Sequence, residues 1–130
     1  MYQDTLSLQA AIEIYTLPTY LEAHSSPEQG EYAFAYTVDI VNTGIETVQL
    51  LSRHWIITDG NNDIREVKGD GVIGKQPFIE PQSSHRYSSG AILGTRVGTM
   101  EGSYTMRSVG GIEFEVTIPV FALIAPGALQ

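Results

Sequence analysis

Residues Gly69-Asp70-Gly71-Val72-Ile73-Gly74 match the string G-x-G-x-x-G, with Lys68 before and Lys75 after. In dinucleotide-binding folds such glycines follow a strand, open a helix and let a phosphate approach the helix N-terminus. Here Gln76-Pro77-Phe78-Ile79-Glu80-Pro81 follows, and two closely spaced prolines leave no room for that helix. The loop reads first as a turn whose glycines supply positive φ and close packing. The chemical alternative is an anion site made of successive N–H groups, a nest that needs no helix. Lys68, Gly69, Gly71, Gly74 and Lys75 would then hold a small phosphate-bearing ligand such as pyrophosphate or a dinucleoside polyphosphate.

Other chemistry-bearing residues form less complete sets. Asp59, Asn61 and Asp63 imitate the first ligands of a calcium loop, but Ile64 stands where the sharp-turn glycine belongs and Asp70 replaces the bidentate glutamate. A polar hairpin turn is the better account. His24, His54 and His85 lack the H-x-H or H-x-x-x-H spacing of a metal site, and there is no cysteine to assist them. Divalent-metal sensing therefore stays a distant alternative, with no metal ligand assigned. Ser83, Ser84, Ser88 and Ser89 flank His85 without a nucleophile elbow, and no pair of carboxylates stands out. No catalytic residue is assigned, no cofactor is implied, and the chain is expected not to be an enzyme.

Arg53-His54-Trp55 is the most unusual tripeptide. On a strand, Arg53 and Trp55 share one face and His54 takes the other. Trp55 reads as core, its indole N–H bonded internally. The functional alternative makes Arg53 and Trp55 a partner-binding hot spot.

The elements that must position these residues are strands. Tyr32, Phe34, Tyr36, Val38 and Ile40 place large apolar groups at every second position, the period of a half-buried strand. The same alternation predicts strands through Leu6, Leu8, Ala10, Ile12 and Ile14, and through Ile112, Phe114, Val116, Ile118 and Val120. Residues 47–58 form a strand of mixed burial, and shorter strands are predicted at 64–68, 84–89 and 103–109. Turn chemistry separates them at Asn42-Thr43-Gly44, Asp59-Gly60-Asn61-Asn62, Gly69-Asp70-Gly71, Pro81-Gln82 and Gly110-Gly111. With no convincing amphipathic helix, the pattern is all-β: antiparallel strands in a sandwich or small barrel. Pro18 and Pro119 lie inside strand-like runs and so belong at edges or bulges. Leu17 to Gln29 reads as a long connection, residues 1–125 as one domain and 126–130 as a flexible C-terminal tail.

Composition bounds the function. A chain of 130 residues with 42% hydrophobic and 17% charged residues is one globular domain. The net charge of −8 argues against nucleic-acid binding, which needs Lys and Arg on phosphates. All seven Lys and Arg residues lie between Arg53 and Arg107, whereas residues 1–52 carry seven acids and no Lys or Arg. That asymmetry leaves a near-neutral face on an acidic body, able to orient a partner. Met1 to Asp4 offer no basic leader, and no run is long enough for membrane insertion, so a cytoplasmic protein is expected.

Taken together, several motifs carry a family resemblance. They are F-A-Y-T-V at 34–38, L-L-S-R-H-W-I-I-T-D at 50–59, V-K-G-D-G-V-I-G-K-Q-P at 67–77, Y-S-S-G at 87–90 and G-T-M-E-G-S-Y at 98–104. On these the chain resembles the ApaG (CorD) family over nearly its whole length. The family pattern has Pro-Gly where this chain reads Pro81-Gln82, a departure expected to alter only the turn. The resemblance implies an immunoglobulin/fibronectin-III-like β-sandwich. It also implies a module mediating protein–protein interaction, associated with cobalt resistance and magnesium efflux, with no catalytic residues to carry over. The glycine loop is a family feature with a suggested pyrophosphate role. The expected partner is an unknown protein, and an exposed sheet edge also offers a route to a homodimer.

Overall fold

A computed structural model describes residues 2–127. The expected strands are present, several of them longer than predicted, and β5 is an addition: β1 (Ile12–Tyr20), β2 (Tyr32–Asn42), β3 (Val48–Asp59), β4 (Ile64–Asp70), β5 (Phe78–Ile79), β6 (Ser83–Leu93), β7 (Val97–Ser108) and β8 (Glu113–Ile124). All pairings are antiparallel. One sheet runs β1-β2-β6; the other runs β4-β3-β7-β8, with β5 added beside the start of β3. The inward faces of both bury one core centred on Trp55, whose ring meets Tyr36, Tyr104 and Phe121 edge-on. The all-β sandwich expected from the alternation is what forms.

Three local readings are corrected. The strand predicted from Leu6 begins only at Ile12; Thr5–Ala11 is the helix α1. Asp4 caps it by accepting the Ser7 N–H at 2.8 Å, which holds its carboxyl below the usual range, and good helix formers follow. Only Leu8 of this helix is buried. The connection predicted from Leu17 is shorter, because β1 continues through Pro18 to Tyr20 and two 3-10 turns follow. Val120, predicted to face the core, is 59% exposed. Pro119 and Val120 together stand opposite Glu101, so the strand changes phase and Phe121 and Leu123 turn inward instead.

Both prolines sit where the missing N–H costs least. Pro119 is in that bulge on the edge strand β8. Leu21 donates to the Ala33 carbonyl, so the odd-numbered residues of β1 bond to β2 and the Pro18 nitrogen faces the free edge. The tail expected at 126–130 lies partly outside the described residues, which end at Gly127.

One end of the sandwich is knotted by buried polar groups. The Asn42 amide donates to the carbonyls of Glu46 (2.8 Å) and Ile79 (2.9 Å) and accepts from Gly44 N (3.0 Å). The buried Glu46 carboxylate accepts N–H groups from Gln3 and Gly110, drawing in the N-terminal segment and the β7–β8 turn. Beside it, Gln82 adopts the left-handed φ of 63° that a glycine takes without strain. Its N–H donates to Asn42 O at 2.7 Å and its side-chain amide reaches Thr43 O at 3.1 Å, which offset the cost. The Pro81-Gln82 departure thus keeps the turn. Asn42→Ala should lower unfolding free energy by about 2–3 kcal/mol, since it orphans buried partners. Thr43→Ala, which removes an exposed bond to Ala11 O, should cost about 0.5 kcal/mol or less; urea titration of both checks the contrast.

Candidate functional site

The glycine loop is built around an arginine. Leu51 is an extra residue in β3, a bulge between Leu50 and Ser52 relative to β7. It reverses the phase of the strand, so Val48 and Leu50 face inward before it and Arg53, Trp55 and Ile57 after it. Arg53 lies opposite Gly69 of β4, and its guanidinium crosses that residue. A Cβ at position 69 would meet three guanidinium atoms at 2.9 Å, so only glycine admits this path without a shift. From there Arg53 donates to the carbonyls of Asp70 (3.0 Å) and Gly71 (2.9 Å).

The rest of the loop is tied by its own backbone. Gly71, at φ 61°, donates its N–H to Leu51 O at 2.8 Å. Val72 and Lys75 exchange N–H to carbonyl bonds of 2.8 and 3.1 Å around Ile73 and Gly74, both at positive φ. This is the mirror-image turn that suits a tight hairpin. Val72 plugs the core beneath it. Three of the loop's N–H groups are therefore spent on carbonyls, and the unbroken row that an anion nest requires is absent from the described loop. Ile73 and Gly74, at the tip, and Asp70, whose N–H faces away from β3, have N–H groups without an acceptor among the described residues. Lys68 projects from the outer face of the sheet, whereas Lys75 follows the turn toward His85. The five residues expected to hold an anion together thus divide: Gly69 serves Arg53, Gly71 serves Leu51, and the two lysines leave in different directions.

Beneath the loop the sheets are joined by two phenols. The hydroxyls of Tyr87 (β6) and Tyr104 (β7) are hydrogen-bonded to each other inside the core. Burial pushes both phenols far above their ordinary range, reinforced at Tyr104 by the neighbouring Tyr87, while the Arg53 charge opposes it. His85 stacks on Tyr87 with ring centroids 6.3 Å apart. Partial burial, then the Lys75 charge, holds its imidazole below the usual value. Arg53 and Trp55 do share a face, but it is the inner one. Trp55 is 1% exposed, so the Arg53–Trp55 hot spot gives way to core packing. Its indole N–H, expected to be bonded internally, has no oxygen or nitrogen partner among the described residues and packs among aromatic rings.

The remaining candidates resolve simply. Asp59 accepts the N–H groups of Asn61 (2.8 Å) and Asp63 (3.0 Å), which makes the segment a polar hairpin turn. His54, on the outer face, bonds to Glu66 at 2.9 Å. Among the described residues no three His, Asp or Glu side chains gather as a cation site. No described helix is long and apolar enough to cross a membrane. Sequence reasoning missed the Tyr87–Tyr104 pair, although both residues stand in the Y-S-S-G and G-S-Y motifs. It also missed a groove of about 410 Å³ on the outer face of the three-stranded sheet. Tyr15, Leu17, Thr37 and Ser88 line it around a two-bond ion pair, Arg86 to Asp39 at 2.7 and 2.9 Å.

These features define an immunoglobulin/fibronectin-III-like sandwich with an arginine-braced glycine turn. The ApaG domain pattern matches residues 22–108, a span that includes Arg53, the whole glycine turn and both buried phenols. The chain belongs to the ApaG domain family. It is 56% identical over 111 residues to Protein ApaG of Pseudomonas paraeruginosa, covering 85% of this chain and 88% of that one. With Protein ApaG of Dechloromonas aromatica it shares 50% over 119 residues, 92% and 94% of the two chains. Two solved structures agree. An X-ray structure of a Northeast Structural Genomics Consortium target superposes with TM-score 0.89 at 42% identity, covering 95% and 93% of the chains. The crystal structure of a protein described as ApaA from Bordetella pertussis gives 0.87 at 46%, covering 89% and 94%.

The phenol pair makes stability alkali-sensitive with a defined sign. Both folded-state values lie above the ordinary 10.0, so the unfolded chain loses protons first. The stabilisation is complete below about pH 10 and declines as pH rises past it, by up to roughly 1.4 kcal/mol per pH unit for each phenol. Urea titrations from pH 8 to 11 should show this fall (~pH scale set by the phenols), and Tyr87→Phe should make it shallower while costing about 1–2 kcal/mol at neutral pH.

Proposed function

We propose that this chain is a non-enzymatic binding module that mediates protein–protein contact in the cytoplasm. The observation that carries this reading is the uncovered outer face of β1-β2-β6. There Tyr15 (55% exposed) and Leu17 (66% exposed) stand beside the Asp39–Arg86 pair. Tyrosine and arginine are residue types that anchor interfaces, and an arginine already held by a carboxylate loses little freedom when a partner docks. Arg53 and the two phenols near the glycine turn point the same way, because they are engaged with backbone carbonyls and with one another. In this reading the association with cobalt resistance and magnesium efflux is carried by the partner, not by metal held in this chain.

Affinity capture with the tagged chain, followed by Tyr15→Ala and Leu17→Ala, tests it. A specific partner should be retained by the wild type and by Lys75→Ala, and its affinity should fall roughly tenfold or more on loss of Tyr15. Absence of any specific partner, together with reproducible turnover of a substrate, would overturn the reading. The second reading, anion binding at the turn, keeps only the tip amides of Ile73 and Gly74 and the Lys75 amine in its support. Calorimetry with pyrophosphate separates the two: no heat at millimolar ligand removes it.

A further inference from the structure

β4 is the outermost strand of its sheet, and among the described residues its second edge has no partner strand. The bonds from Gly71 N to Leu51 O and from Asp59 N to Asp63 O fix which backbone groups are used. With Arg53 opposite Gly69 and Trp55 opposite Val67, the odd-numbered residues of β4 bond to β3. Ile64, Glu66 and Lys68 therefore aim their N–H and C=O groups at the free edge, as does the N–H of Asp70, whose carbonyl already accepts from Arg53; the four side chains lie exposed on the outer face.

We propose that this edge pairs antiparallel with the same edge of a second copy, about a two-fold axis at Val67. The two β4-β3-β7-β8 paths would become one continuous sheet. The charge order selects both the partner and the register. An axis at Val67 sets each Glu66 opposite Lys68 of the other copy, and each Ile64 opposite Asp70. An axis at Lys68 would oppose Lys68 to itself and Glu66 to Asp70. An axis at Glu66 would oppose Glu66 to itself. Of the registers that overlap most of both strands, only the Val67 axis avoids like charges on the outer face, which are unfavourable directly across a ladder. A surface that is complementary to itself under a two-fold is what a closed dimer requires.

The side chains leave room for this pairing. Lys68 forms no ion pair among the described residues, and Glu66 uses one carboxylate oxygen on His54, leaving the other for Lys68 across the axis. On the inner face Arg65 would stand opposite Gly69, which the Arg53 guanidinium crosses; Arg53 is held on the carbonyls of Asp70 and Gly71, and Arg65 on that of Ile92. The inference goes beyond the binding role and does not rest on it, since it uses a different surface.

Sedimentation equilibrium of the full chain over a wide concentration range tests it by charge exchange. The wild type should associate to dimers as concentration rises. Lys68→Glu alone places two glutamates opposite each other at both pairs, and Glu66→Lys alone places two lysines there. Each should raise the dissociation constant roughly tenfold or more. An equimolar mixture of the two variants restores opposite charge at both pairs, so it should form heterodimers near wild-type affinity. The double variant in one chain should dimerise as well. Recovery in the mixture separates a lost contact from a failure to fold, and circular dichroism of each single variant checks the fold directly. A wild type that stays monomeric at millimolar concentration overturns the proposal, as do single variants that dimerise normally or a mixture that fails to associate. A monomeric chain that adds only a foreign peptide strand along β4 also overturns it.

Discussion

Leu51 has no counterpart across the ladder to β7, and that one surplus residue arranges most of what surrounds it. An unbroken strand alternates strictly, so the face holding Val48 and Leu50 would be followed by solvent-directed Arg53, Trp55 and Ile57. The bulge turns all three inward at once. Burying Trp55 is favourable on its area alone, by about 2–3 kcal/mol for a large side chain. Burying a guanidinium is not, unless its donors find acceptors. The structure meets that condition with the carbonyls of Asp70 and Gly71, reached because residue 69 has no side chain. The bulged carbonyl itself accepts Gly71 N–H and the Gln76 amide, which closes the loop over the arginine. Arginine, glycine turn and core tryptophan are thus consequences of one phase change.

This explains which parts of the molecule could be read in advance. Period-two alternation reports a strand's faces correctly as long as the ladder is regular, as in β2, where Tyr32, Phe34, Tyr36, Val38 and Ile40 are all buried. It gives the right strand but the wrong side after a bulge, as at Val120. A bulge depends on the partner strand, so nothing in the bulged strand's own residue order announces it. The α1 error has a different cause. Leu6, Leu8 and Ala10 alternate as a strand would, but the capping aspartate and the strong helix formers decide a segment that packs only Leu8. Local chemistry outweighed period there because so little apolar surface was at stake.

The site shows the same division. That the G-x-G-x-x-G string was no nucleotide motif followed from the prolines after it, since they exclude a helix in any context. The direction of the loop's N–H groups did not follow, because it is set by Leu51 and Lys75 carbonyls. Tyr87 and Tyr104 come from different sheets, and their meeting depends on how those sheets stack. Family motifs marked both residues without giving a reason. The hydrogen bond supplies one: two hydroxyls buried in an apolar core satisfy each other.

Pro18 and Pro119 lie on β1 and β8, the strands that close the same flank of the sandwich, while β4 and β6 end the sheets on the other. A fibre grows only if every added molecule offers a receptive edge on both sides. Here one flank is interrupted in both layers by residues that cannot donate to a ladder. The open flank therefore has no complementary surface on which successive copies could propagate, and any strand-wise growth ends after the first addition.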